Sequence, residues 1–246
     1  MNRQVRVSME LAVWEVSFYN KMKENGIALS DRQLQQFRIY AQMLAEWNQK
    51  MNLTAIVDPK EVYVKHFLDC ILPSFHIAIN GTMCDVGAGA GFPSIPLKIV
   101  YPELKVTILE PLRKRCVFLT ALVNELQLEE VSIINARAED YAKQHRESFS
   151  VVSARAVANL TLLSELCIPL VEKGGIFLAM KGSSAKEEWI KAEYAISVLG
   201  CQLEKEDTYR LEGAERVNYC FKKVKNTPAK YPRAFAKIKH EPLMRR

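Results

Sequence analysis

The chain has 246 residues, 49% of them apolar and 25% charged, with a net charge of +6. That is enough apolar material for one large domain or two small ones with a buried core. No run of about 18 apolar residues occurs, which excludes a membrane-spanning helix.

The N-terminal stretch MNRQVRVSMELAVWEV has no uninterrupted apolar region and no small-residue cleavage site. No signal peptide is expected, and a cytoplasmic location follows. The cysteines, Cys70, Cys84, Cys116, Cys167, Cys201 and Cys220, form no CxxC pair. Buried free thiols in a reducing compartment are the expectation. Four histidines without HxxxH spacing point to no metal site. The positive charge is concentrated at one end. From Phe221 onward, nine Lys/Arg against the single acid Glu241 make that segment +8 and leave the rest at −2. With Tyr231 and Phe235 among its cations, the segment suits a phosphate backbone and exposed bases. Lys222, Lys223, Lys230, Arg233, Lys237 and Lys239 are the candidate RNA contacts.

Residues 9–76 read as helical. Leu11, Trp14, Phe18 and Met22 repeat at three- and four-residue steps. Ser30 or Asp31 can cap a second helix carrying Leu34, Phe37, Tyr40, Met43, Leu44 and Trp47. Asp58-Pro59 opens a third over 60–76. From residue 82 strands and helices alternate. The spacing predicts strands over 82–86, 105–110, 131–135, 149–154 and 175–180. It predicts helices over 92–100, 112–127, 157–168 and 185–199. Two further strands close the pattern at 201–207 and 216–224. Alternating βα units predict a doubly wound, mostly parallel sheet of seven strands, with an antiparallel edge. The expected organisation is a helical extension over 1–78, a Rossmann-like domain over 79–226 and a basic tail over 227–246.

In such a sheet ligands bind beyond the carboxyl ends of the strands. The first strand runs into Asp85-Val86-Gly87-Ala88-Gly89-Ala90-Gly91-Phe92-Pro93. Gly87, Gly89 and Gly91 let the backbone turn sharply and approach a ligand closely. Asp85 opposes a pyrophosphate but suits a cation, such as the sulfonium and amino group of S-adenosylmethionine. Glu110, nineteen residues beyond Gly91, stands where a carboxylate chelates ribose hydroxyls. Ala138 and Glu139 follow the third strand and suit the edge of an adenine. Arg155 follows the fourth strand and Lys181 the fifth, both candidates for positioning a substrate. His66 and Asp69 share a helix face, and this spacing fits capping or core satisfaction as well as a site. Trp47, Asn48, Asn52 and Thr54 read as closing the helical cap.

Absent motifs narrow the chemistry. Methylation of an exocyclic amino group typically uses a D/N/S-P-P-Y/F loop after the fourth strand, and here that position reads SARAV. Cytosine C5 methylation needs a thiolate nucleophile, for which Cys167 in an apolar helix is poorly suited. A ring nitrogen such as guanine N7 is unprotonated at neutral pH and needs no general base. Neither a covalent nucleophile nor a catalytic base is therefore expected.

The strings WNQKMNLTAI (47–56), HFLDC (66–70), DVGAGAGFPSIPLKI (85–99), KRCVFL (114–119), RAE (137–139), SARAVANL (153–160), AMKG (179–182) and KYPR (230–233) follow one another in this order. Together they resemble the bacterial 16S rRNA 7-methylguanosine methyltransferase family, RsmG or GidB, from about residue 10 to residue 243. The resemblance implies a class I S-adenosylmethionine-dependent methyltransferase fold and methylation of one guanine N7 in the decoding-region loop of 16S rRNA. It implies cofactor contacts at Gly87, Phe92, Ala138, Glu139 and Arg155. Phe92 comes from the resemblance alone, since its pattern otherwise reads as core. The chain departs from the family after KYPR, where AFAKIKHEPL lacks the usual Gly and early Pro. A monomer acting on rRNA, without membrane or metal, is expected. A methyltransferase acting on a small molecule or another RNA is the alternative. A nicotinamide-dependent dehydrogenase fits poorly, because the spacing is GxGxG and Asp85 repels a pyrophosphate. A non-catalytic RNA-binding module is disfavoured by the intact set of cofactor residues.

Overall fold

The computed structural model describes residues 11–245. Helix α1 (Val13–Glu24) is followed by α2 (Asp31–Met51). Ser30 starts α2 with a reciprocal cap. Its hydroxyl accepts the Gln33 N–H at 3.3 Å, and the Gln33 carbonyl oxygen accepts the Ser30 N–H at 2.8 Å. Asn52 ends the helix in the left-handed region. The helix expected over 60–76 is a composite rod. It runs through α3 (Pro59–Glu61), a π-helical turn (Val62–Leu68), α4 (Asp69–Ile71) and a 3-10 turn (Leu72–Phe75).

The sheet strands are β1 (Thr82–Val86), β2 (Lys105–Leu109), β3 (Val131–Ile134), β4 (Phe149–Arg155), β5 (Val171–Lys181), β6 (Cys201–Leu211) and β7 (Ala214–Lys223). Their order is β3-β2-β1-β4-β5-β7-β6. Strand β7 lies antiparallel between β5 and β6, and the other pairings are parallel. The chain leaves β1 in one direction through β2 and β3, then returns to β4 on the other side. The crevice of this topology therefore opens at the carboxyl ends of β1 and β4. The intervening helices are α5 (Ser94–Val100), α6 (Arg113–Glu125), α7 (Ala138–Tyr141), α8 (Leu160–Cys167) and α9 (Ala185–Val198), with α10 (Phe235–His240) beyond the sheet. Helices α7 and α10 are too short for periodicity to reveal.

The strands alternate between two cores, as a period of two requires. Met83, Val151, Ile176 and Leu178 face the core shared with the N-terminal helices, α5 and α6. Cys84, Val152, Phe177, Tyr219 and Phe221 face the core built with α8, α9 and α10. The helical extension is thus joined to the sheet rather than set apart from it. Its aromatic seam runs from Phe18 against Phe37 (5.0 Å) through Phe67 to Tyr40 stacked on Phe92 (5.5 Å). The buried Tyr40 hydroxyl donates to Ala90 O at 2.6 Å, which fixes the glycine loop from the extension side.

The C-terminal segment corrects the expectation of a free basic tail. Thr227, Tyr231 and Ile238 are buried. Arg146 donates to Thr227 O at 2.8 Å and to Tyr231 O. Lys223, expected to contact RNA, is wholly buried, and its ammonium donates to Ile168 O (2.9 Å) and Thr227 Oγ1 (2.5 Å) and pairs with Glu147 (3.2 Å). Arg233, expected in the same role, grips the buried Glu165 of α8 through two parallel bonds of 2.8 and 2.7 Å. Tyr231 is core, not a surface for bases. The physical reason is pairing: the buried Glu165 and the half-buried Glu147 take cations as partners, and these two are recruited inward. Lys230, Lys237 and Lys239 remain exposed and Lys222 half-exposed.

Candidate active site

Two cavities adjoin at the carboxyl ends of the parallel strands. The smaller, about 270 Å³, is bounded by Gly87, by Glu110 to Leu112 after β2, by Ala136 to Glu139 after β3, and by Leu166 and Phe235. Gly87 (φ +73°) and Gly89 (φ +61°) adopt left-handed backbone that other residues resist. A Cβ at Gly87 would stand 2.9 Å from Val157 Cγ2. A Cβ at Gly89 would meet no protein atom within 4 Å, so this peptide can be approached closely from outside. Gly91 has a packing reason instead, since its Cβ would collide with the Tyr40 hydroxyl and Ile95 at 2.8 Å.

Glu110 is buried under the loop mouth. Its carboxylate accepts the Gly89 N–H at 3.1 Å and the Leu112 N–H at 2.9 Å, with Arg115 at 3.7 Å. It therefore shapes the glycine loop as well as facing the cavity. Glu139 and Ala138 lie at the start of α7 on the cavity wall, and burial pushes the Glu139 carboxyl above its ordinary pKa. Asp85 lies beneath this surface. Its fully buried carboxylate accepts the Ser94 N–H (3.1 Å) and the Ser153 hydroxyl (3.3 Å). Burial pushes its pKa up to about 7. It ties β1 to α5 and β4 rather than lining the cavity. A pocket of this shape, with a glycine cradle, apolar walls and two acids, fits an adenosyl cation such as S-adenosylmethionine.

The larger cavity, about 470 Å³, shares the Ala156–Val157 ridge with the first. Ala156 holds φ +57° there, a conformation that costs a non-glycine residue about 1–2 kcal/mol. Arg155 stands in this second cavity, not the first. Its guanidinium donates to Lys65 O (2.8 Å) and Cys70 Sγ (2.9 Å) and pairs with Asp69 (3.3 Å). Asp69, almost fully buried, also accepts from Arg216 Nε and the Tyr209 hydroxyl, both at 3.2 Å. His66 stacks on Phe92 at 4.4 Å and places Nδ1 3.2 Å from Arg155. A guanidinium only donates, so Nδ1 accepts and Nε2 carries the proton toward Thr54 Oγ1 at 2.8 Å. Burial, reinforced by Arg155, lowers the His66 pKa to about 3. Lys181 donates to Ala158 O and pairs with Glu188, both at 2.7 Å. Phe92 packs between Tyr40 and His66 and supports this network from below.

Tertiary structure thus gathers His66, Asp69, Arg155 and Lys181 with Tyr209, Arg216 and Asn218. The last three escaped the sequence reading, since they sit on the β6–β7 hairpin without a motif. Asn48, expected only to close the cap, clamps the Thr54 backbone through bonds of 2.8 and 2.9 Å and so positions the hydroxyl that meets His66. All six cysteines are free and buried, as expected. Burial holds the Cys167 thiol well above its ordinary pKa. Among the described residues no cluster of three or more His, Cys, Asp or Glu is arranged to hold a metal, and no helix is long and apolar enough to cross a membrane.

The sequence model of the rRNA small subunit methyltransferase G family, GidB, matches residues 33–216. The chain belongs to this family. This methyltransferase is 51% identical over 232 residues to ribosomal RNA small subunit methyltransferase G of Oceanobacillus iheyensis, covering 92% of this chain and 98% of the relative. It is 53% identical over 229 residues to the protein of that name from Staphylococcus epidermidis, covering 91% and 96%. Its fold is similar to M. jannaschii TYW2 in complex with AdoMet, with a TM-score of 0.53 and 16% identity over 65% of this chain and 76% of that one. P. horikoshii TYW2 in complex with MeSAdo gives 0.52 and 14% over 63% and 61%. The architecture is that of the class I methyltransferases, with the helical extension added.

Proposed function

We propose that the chain transfers a methyl group from S-adenosylmethionine to N7 of one guanine in 16S rRNA, in the cytoplasm. The observation that carries this reading is the pair of cavities meeting at the Ala156–Val157 ridge in a member of an rRNA methyltransferase family. When bound, S-adenosylmethionine supplies a methyl group on a positively charged sulfur. Gly87, Glu110, Ala138 and Glu139 would hold it, with Gly89 leaving the backbone open to it. Asp85 and Gly91 keep the loop in shape from beneath. The larger cavity would take the guanine. N7 carries a free lone pair near neutrality, so the protein need only align and desolvate it. The positive charge gained by the base would be met by neighbouring RNA phosphates, since Asp69 and Glu188 are already paired with Arg155, Arg216 and Lys181. Arg155, pinned by Asp69, His66 and Cys70, and Lys181, pinned by Glu188, present fixed cations to O6 or a flanking phosphate. Such fixed groups cost little reorganisation during reaction.

The test is to incubate the purified chain with methyl-labelled S-adenosylmethionine and either 16S rRNA or small-subunit particles, then map the label. The expected product is 7-methylguanosine at one position. Label on another atom or another RNA, or no transfer to either substrate, would refute the reading.

A further inference from the structure

We infer that the C-terminal segment is part of the cofactor site, with Phe235 forming the aromatic wall against the adenine. This rests on the S-adenosylmethionine reading above. The segment lies beyond the residues matched by the family model, which ends at 216. The side chain of Phe235 nevertheless lines the glycine-loop cavity, together with Arg137, Ala138, Glu139 and Leu166. The Arg137 guanidinium sits 5.0 Å from the Phe235 ring centre. Such a contact helps hold the ring in place.

The position of the ring decides which part of the ligand it meets. A transferable methyl must lie at the Ala156–Val157 ridge, where the two cavities join. The Ala136–Glu139 wall follows β3, away from the β4 end that carries the ridge, and Phe235 stands beside this wall at Arg137. Strand β3 is separated from β1 by β2, about 10 Å away at the usual strand spacing. That span separates the sulfur from the purine, with Glu110, after the intervening β2, facing the ribose between them. A flat aromatic ring and the neighbouring Glu139 suit a purine carrying an exocyclic amine. They do not suit the charged methionine end.

The segment is anchored for this role rather than draped over the surface. Arg233, two residues before Phe235, is held by both oxygens of Glu165, and Leu166 next to Glu165 lines the same cavity. Tyr231 on one side and Ile238 on the other are buried in the core. The cations of this segment therefore serve two ends: Arg233 fastens it, while Lys237 and Lys239 stay exposed.

The test is calorimetric titration of the full chain with S-adenosylmethionine and, separately, with adenosine, alongside melting without ligand. Phe235→Ala is expected to weaken both ligands by about 5- to 150-fold, the range for loss of a base–aromatic stack. Phe235→Tyr should keep affinity within about twofold. Phe235→Leu, which keeps apolar bulk, should retain the ligand-free melting temperature without restoring affinity. Unchanged affinity in Phe235→Ala, or full affinity in Phe235→Leu, would overturn the inference. Failure of the unaltered chain to bind S-adenosylmethionine would instead overturn the reading on which it rests.

Discussion

Asp85 and His66 are both buried and lose opposite charges on burial, so they move stability in opposite directions with pH. Burial holds the Asp85 carboxyl near 7, against 3.8 when exposed. Between about pH 4 and 7 the folded chain keeps a proton that the unfolded chain releases, so stability falls as pH rises through this window. Asp85→Asn should remove that dependence. The variant should gain on the unaltered chain from pH 4 to 7, by at most about 4 kcal/mol. Urea unfolding at several pH values measures the difference, and a constant difference would contradict the burial argument. The His66 imidazole, lowered to about 3 from 6.5, stays neutral while the unfolded chain takes up a proton. Its contribution is complete above about pH 6.5 and is lost as pH falls toward 3. His66→Gln should therefore flatten the acid limb of the stability curve in the same experiment. The glycines separate in a similar way. Gly89→Ala should cost only the left-handed backbone strain, about 1–2 kcal/mol. Gly87→Ala adds a 2.9 Å contact with Val157 and should melt lower. Reversal of that order would show that Val157 gives way freely.

Among the elements, the composite rod and the C-terminal segment depart most from their sequence pattern. The rod reads as one helix because its apolar residues keep helical spacing. The π turn over Val62–Leu68 carries no Pro or Gly to betray it. That wide turn holds Lys65 and His66, whose carbonyl and ring nitrogen receive Arg155, a placement common for π turns at functional sites. The C-terminal segment reads as a basic tail with its cations turned to RNA because charge composition cannot show which cations have buried partners. Arg233→Ala leaves the Glu165 carboxylate uncompensated and should cost about 3–5 kcal/mol. It should also weaken S-adenosylmethionine, because it loosens the segment bearing Phe235. A double-mutant cycle with Glu165→Gln isolates the pair, and a coupling near zero would contradict the assigned anchor.

At the scale of the whole molecule, the cations left facing solvent decide how RNA is met. Lys230, Lys237 and Lys239 are exposed at one end of the chain. If they contact phosphates, changing all three to Ala should flatten the log–log salt dependence of RNA binding by about two to three units. Cofactor affinity should stay unchanged. A salt slope equal to that of the unaltered chain would move the RNA surface elsewhere. The order of the strands and of the longer helices, the switch point after β1 and the glycine loop were legible in the sequence. They follow from local periodicity and from the backbone freedom that only glycine supplies. Asp85 reads in the sequence as facing a cationic ligand, but it lies beneath the loop and ties β1 to α5 and β4. The larger cavity was not legible as a unit. Its walls come from residue 69, residues 155–159, residues 180–188 and Tyr209, Arg216 and Asn218 of the β6–β7 hairpin, and no local pattern links them. The fate of each charge was equally hidden. Lys223 and Lys222 are neighbours of the same type, yet one is sealed against Glu147 and the other reaches solvent. Sequence determined the elements and the glycine loop, because these depend on spacing a few residues apart. Tertiary structure alone decided which polar groups are desolvated together, because a buried charge takes its partner from whatever distant segment packs beside it.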